Sequence, residues 1–243
     1  MQALPPTVDE VIVEVTESAY PIITKLDGAA FTSFGDKVGK LLLDLGPAKI
    51  GKTIDLALDA YATVPDATVK KFDGVVGDAF SGLKPDSCTL VPLPSRASAD
   101  KFASLAKSTV DSGKLSKFSS TWGPTVGKLS TKGDAICLPP VDTLTKLALA
   151  QAEVGRSFDY DASQAFIGYT QPMLKNSIKL QDVFPLLEDA ANVAPDVTSK
   201  EKLAFQKAGK RSEAASKAEQ EKQAMARYKA KSAAAAAAKA AAK

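Results

Sequence analysis

Apolar residues at Val8, Val11, Ile12, Val15, Ala19, Ile22 and Leu26 follow one another at steps of three and four, the spacing of one stripe along an α-helix. This outweighs the local alternation of VIVEV (11–15), which alone would read as a strand. Thr7 and Glu10 form a Thr-x-x-Glu capping box directly after Pro5 and Pro6, so the helix starts near residue 8. Pro21 lacks an amide hydrogen and clashes with the preceding turn, and is expected to kink or end that helix near residue 20. Similar spacing predicts helices near 66–83, 99–110 and 142–153. Thr198 and Glu201 form a further capping box, which opens a last helix over about 199–231. Asp161 and Gln164 make another between 155 and 198, where Pro172 and Pro185 interrupt a helical pattern that includes VFPLLEDAANVA. The best strand candidates, CTLVPL (88–93) and AICLPP (135–140), both contain proline. The fold class is therefore all-α, a helical bundle with an extended C-terminal helix and little sheet.

Comparing the chain with itself sharpens that reading. Lys25-Leu26-Asp27-Gly28, Lys71-Phe72-Asp73-Gly74 and Lys117-Phe118-Ser119-Ser120 recur at a step of 46 residues. The segments DLALDAY from Asp55, KFASLAK from Lys101 and LALAQAE from Leu147 recur at the same step. These are read as three diverged helix–loop–helix units near 25–70, 71–116 and 117–162 within a body of residues 1–198.

Apolar residues make up 45% of the 243 and charged residues 24%, ordinary values for a globular chain. There is no histidine, which excludes histidine triads, H-E-x-x-H zinc sites and imidazole proton shuttles. The net charge of +3 conceals an asymmetry. Residues 199–243 carry 12 Lys/Arg against 4 Asp/Glu, leaving 19 basic and 24 acidic residues in the body. A basic, alanine-rich tail on a mildly acidic body reads as an interaction segment. The opening MQALPPTVDE shows no secretory signal. No apolar run approaches the ~18 residues a membrane span needs, so a soluble or peripheral protein is expected.

GPAKIGKT (46–53) fits the phosphate-loop pattern, with Gly46, Gly51, Lys52 and Thr53 in place between KLLLDL and IDLALDAY. In such a loop backbone amides cradle phosphate, the lysine reaches the outer phosphates and the hydroxyl meets Mg²⁺. The repeat points elsewhere, because PLPSRASA and LPPVDTLT stand at the corresponding positions. The expected role is an inter-helix linker, in which Gly46 and Pro47 stop one helix and Gly51 to Thr53 lead into the next. A nucleotide-binding protein is the alternative, although the parallel sheet and the strand ending in a metal-binding Asp are missing from the pattern.

Asp159 and Asp161 in FDYDAS are read as capping and solvated groups rather than cation ligands, and no metal site is expected. Trp122, beside Gly123 and Pro124, is expected to cap a core. Cys88 and Cys137 sit in similar settings, so a disulfide and a pair of buried thiols are both open. With neither histidine nor an acid–base pair, no enzyme is expected. In the tail, Lys207, Lys210, Arg211, Lys217, Lys222 and Arg227 are the candidate partner-binding residues. They would face acidic protein surface or lipid headgroups. The glutamates among them argue against nucleic acid, which stays an alternative. The terminal SAAAAAAKAAAK is of low complexity.

ESAYPIITKLD (17–27), through Ser18, Tyr20, Pro21, Lys25 and Asp27, resembles a segment of the peridinin–chlorophyll proteins, soluble helical antenna proteins of dinoflagellates; Ile54-Asp55 matches a later helix. The resemblance covers roughly 40 residues. It implies an all-helical, internally duplicated protein of the thylakoid lumen. Gly28 stands where that family has tryptophan, and the missing histidine removes its way of holding chlorophyll. No cofactor, chlorophyll or carotenoid, is therefore expected. The expected function is a non-catalytic structural or linker subunit, bound as a processed form to protein subunits of a photosystem–antenna complex in the chloroplast, at the periphery of the thylakoid membrane.

Overall fold

The computed structural model describes residues 6–26, 45–86, 88–92, 96–129, 131–133, 135–177 and 196–241. Asp27 and Gly28 of the antenna-like segment, Pro185, and most of the stretch before Gly46 lie outside these residues.

Helix α1 (Val8–Ile23) starts at its capping box: the Glu10 amide donates to Thr7 Oγ1 at 3.2 Å, and the Thr7 amide donates to Glu10 Oε2 at 2.7 Å. Pro21 does not end it. The proline stands in the last turn, where it removes a single hydrogen bond, and the helix runs on to Ile23 with the Thr24 hydroxyl donating to the Tyr20 carbonyl at 3.0 Å.

Three helix–turn–helix pairs follow: α2 (Pro47–Tyr61) with α3 (Asp66–Phe80), α4 (Arg96–Thr109) with α5 (Ser112–Val126), and α6 (Val141–Arg156) with α7 (Tyr160–Ser177). First helices begin at Pro47, Arg96 and Val141 and second helices at Asp66, Ser112 and Tyr160. Lys71 and Lys117 both stand within second helices, so unit boundaries drawn there cut α3 and α5. The structural breaks fall in the connections between pairs. Two of these connections supply strands β1 (Thr89–Pro92), β2 (Thr131–Lys132) and β3 (Ala135–Leu138), which form an antiparallel sheet of order β1-β3-β2. Thr89 lies opposite Leu138 and Pro92 opposite Ala135. Pro92 is tolerated as the last residue of an edge strand, where the lost donor breaks no ladder. The chain closes with α8 (Ser199–Ala241), ten residues longer than the periodicity predicts.

Packing runs in a series. Helix α8 lies on α1, α1 on α6, α6 on α3, α3 on α5, and α2 against α4, α5 and α7. At the centre Val64, Val69, Trp122 and Val154 are buried, with Tyr61, Phe72, Phe118 and Phe158 around them. Trp122 is thus inside the core rather than over it. The Tyr61 ring meets Trp122, Phe118 and Phe158 edge-on, with centroids 5.2, 5.8 and 5.1 Å away. Such pairs add about 0.5–1.5 kcal/mol each to the burial. A second cluster, Ile22, Val197 and Phe205, seals α1 to α8, and a third joins Leu45 and Ile50 to Leu105 and Met173.

Candidate functional site

The GPAKIGKT segment is a helix start, not a loop. Gly46 is the N-cap of α2, with φ +81° and ψ 154°, a backbone that favours glycine. Pro47 follows at the first helical position, where its missing amide costs nothing. From there the chain is helical through Gly51, Lys52 and Thr53, which therefore lie within α2 rather than leading into it. The Ile50 amide donates to the Gly46 carbonyl at 3.2 Å, and the Thr53 hydroxyl donates to the Lys49 carbonyl at 2.9 Å. Lys52 Nζ stands 4.7 Å over the Tyr169 ring of α7. Gly51 is buried where α2 meets α4, and a Cβ there would overlap the Thr109 side chain. The four motif residues thus have packing and capping roles, and from Ile50 on the amides belong to the helix.

Gly51→Ala should accordingly destabilise the fold by about 1–3 kcal/mol, the usual cost of overpacking, readable as a lower denaturant midpoint at unchanged slope. Mg²⁺-ATP should give no binding heat in calorimetry with either the parent or Lys52→Ala. Binding in the parent that disappears in Lys52→Ala would reinstate the nucleotide site.

Helix α8 has two unlike faces. One holds Phe205, Ala208 and Ala215, all buried, with alanines letting the helix approach α1 closely. Two ion pairs flank this seam: Lys25 Nζ with Glu201 Oε1 at 2.6 Å, and Arg211 with Glu14 at 2.6 Å. The tail is therefore not an interaction segment alone, because its first turns are part of the fold. Of the six basic residues expected to face a partner, Arg211 points at Glu14, and Lys222 borders a cleft with Pro6, Thr7 and Val8 at the start of α1. Lys207, Lys210 and Lys217 are exposed on the opposite face. Arg227 lies in the helix beyond them, its side chain outside the described residues. Every described side chain from Ala224 to Ala233 is exposed.

Lys25, and after it the amide and hydroxyl of Thr198, hold the Glu201 carboxyl down at about 2 against an ordinary value of 4.5. A depressed folded value means that the contribution is complete above the ordinary value and is lost as pH falls from about 4.5 towards 2. Protection of α1 in hydrogen exchange should decline across that window. Glu201→Gln, which keeps the capping box but not the charge, should show a flatter decline.

Other candidate chemistry resolves locally. Asp159 Oδ1 accepts from the Ala162 amide at 3.1 Å, capping α7 in place of the expected Asp161 box. Asp55, matched to the antenna-like pattern, shares Lys114 Nζ with Asp59, both at 2.8 Å, and these two carboxylates raise the lysine's pKa. Lys128 and the Thr125 hydroxyl together hold the Asp73 carboxyl below its usual range. A cleft of about 790 Å³ between α1, α3 and α6 has Val13, Val75 and Leu149 in its wall. Two ion pairs, Lys71 with Glu153 and Arg156 with Asp9, line it. Among the described residues there is no group of three His, Cys, Asp or Glu side chains able to hold a metal, and no helix is long and apolar enough to cross a membrane. Cys88 and Cys137 are joined in a disulfide, Cα atoms 5.7 Å apart, which ties the approach to β1 onto β3.

Comparison with protein-family models, with curated proteins and with solved structures found no match for this chain.

Proposed function

We propose that this protein is a non-catalytic structural or linker subunit, attached peripherally to a larger complex by α8. The observation that carries the reading is a mismatch of lengths. Helix α1 has 16 residues and α8 has 43, and Ala215, Ala218 and Lys222 already lie beside the first turn of α1. The last 19 residues of α8 then extend about 28 Å past it at 1.5 Å per residue. Eleven of those residues are alanine, so the helix carries on from its packed turns by propensity, yet no described side chain from Ala224 to Ala233 is covered by the body. A partner supplies that cover. The resemblance of Glu17–Asp27 to antenna proteins of the thylakoid makes a photosystem–antenna assembly the proposed complex, with neither pigment nor metal required of this chain. Truncation after Lys222 is the test, because it removes the protruding helix without touching the seam with α1.

A further inference from the structure

We infer that α8 meets its partner along one defined stripe, and that the partner is an acidic protein surface with an apolar seam. This rests on the docking reading above and adds the face and its chemistry. Leu203, Lys207, Lys210, Lys217, Met225 and Tyr228 succeed one another at helical spacing, and each is exposed. They stand opposite Phe205, Ala208 and Ala215, which α1 covers. Tyr228 is 72% exposed, the highest among the exposed large hydrophobic residues described, and Met225 is 58% exposed. Lys207, Lys210 and Lys217 make no ion pair with a described residue, and Glu221 is the one acid on the stripe.

Three lysines between apolar anchors select the partner. A bilayer interface requires a continuous apolar face, whereas lysines interrupt this one. A nucleic acid would meet Glu221 and a body with 24 acidic against 19 basic residues, which its phosphates disfavour. A second copy brings a net charge of +3 and the same lysine stripe, which repel this one. An acidic protein surface answers the lysines, and a shallow apolar seam takes Met225 and Tyr228 as anchors of the kind that dominate interfaces.

The probe is a fluorescent random copolymer of glutamate and tyrosine, titrated with the full chain at low salt. The parent should bind saturably. Lys207→Glu with Lys210→Glu and Lys217→Glu should weaken binding about tenfold or more, and Tyr228→Ala should weaken it roughly tenfold. Lys70→Glu with Lys101→Glu and Lys107→Glu makes the same charge change on α3 and α4, and should weaken binding less than about twofold. Equal loss in both triple variants would reduce the effect to net charge and overturn the stripe. Failure of the parent to bind overturns it too, as does tighter binding to duplex DNA or to phosphatidylglycerol vesicles, or a dimer that the first triple variant abolishes. The general docking reading fails separately, if the chain ending at Lys222 keeps its place in the complex.

Discussion

Phe205→Ala will lower the unfolding free energy by about 3–5 kcal/mol, the range for truncating a buried phenylalanine, although the residue belongs to the basic tail. At roughly 2–4 °C per kcal/mol for a chain of this size, the melting temperature should drop by about 6–20 °C. The ring is 6% exposed and shares a cluster with Ile22 and Val197, with Val15, Ala19 and Leu26 around it. No residue of that cluster belongs to the Trp122 core, so hydrogen exchange should show α1 and residues 199–222 opening before α3, α5 and α6. Met225→Ala, on the same helix but 58% exposed, should change stability by less than about 0.5 kcal/mol. Equal effects from the two substitutions would mean that α8 does not pack on α1 as described.

Removing the disulfide should have a comparable effect. Cys88 and Cys137 close a loop of 49 residues, for which the chain-entropy model gives about 4 kcal/mol. Helices α4 and α5 and two strands lie inside that loop, and Cys137 is fully buried. Cys88→Ala with Cys137→Ala, or the parent under reductant, should unfold at a denaturant concentration lower in proportion. The slope should steepen slightly, because the unlinked chain exposes more surface. Two thiols titrating in the native, unreduced protein would contradict the bond directly.

What the sequence made legible was whatever depends on local spacing. The Thr7–Glu10 box and the stripe from Val8 to Leu26 placed α1, and the Thr198–Glu201 box placed the start of α8. CTLVPL and AICLPP, marked down for proline, are β1 and β3, because their prolines fall at a strand end or just beyond it. Helix α5 went unread. SGKLSKFSSTWGPTV is rich in Ser and Gly, and its helix depends on Asp111 accepting from the Gly113 and Lys114 amides and on burying Phe118 and Trp122. The burial is a tertiary gain that propensity does not contain, whereas the Asp111 cap is a local signal that the spacing of apolar residues does not register. The GPAKIGKT match shows a related limit: a pattern specifies residue types and not the backbone, which here is already helical from Pro47. The inner face of α8 was missed because Ala208 and Ala215 leave almost no hydrophobic period to detect, yet their smallness is what lets α1 approach. Reading α8 as wholly available to a partner followed from that. Arg211, held by Glu14, shows why charge alone does not identify a docking residue.

That division of α8 also changes which deletion is informative. Removing residues 199–243 would strip Phe205 from Ile22 and lose the complex through unfolding, whatever the tail does. The direct test is sedimentation of detergent-solubilised thylakoid membranes carrying a tagged full-length chain or one ending at Lys222, with melting temperatures measured on both purified proteins. The account predicts equal melting temperatures, the full chain in the fast-sedimenting photosystem–antenna fraction, and the shortened chain at the top of the gradient. A shortened chain that fills the fast fraction to the same level as the full one would contradict it.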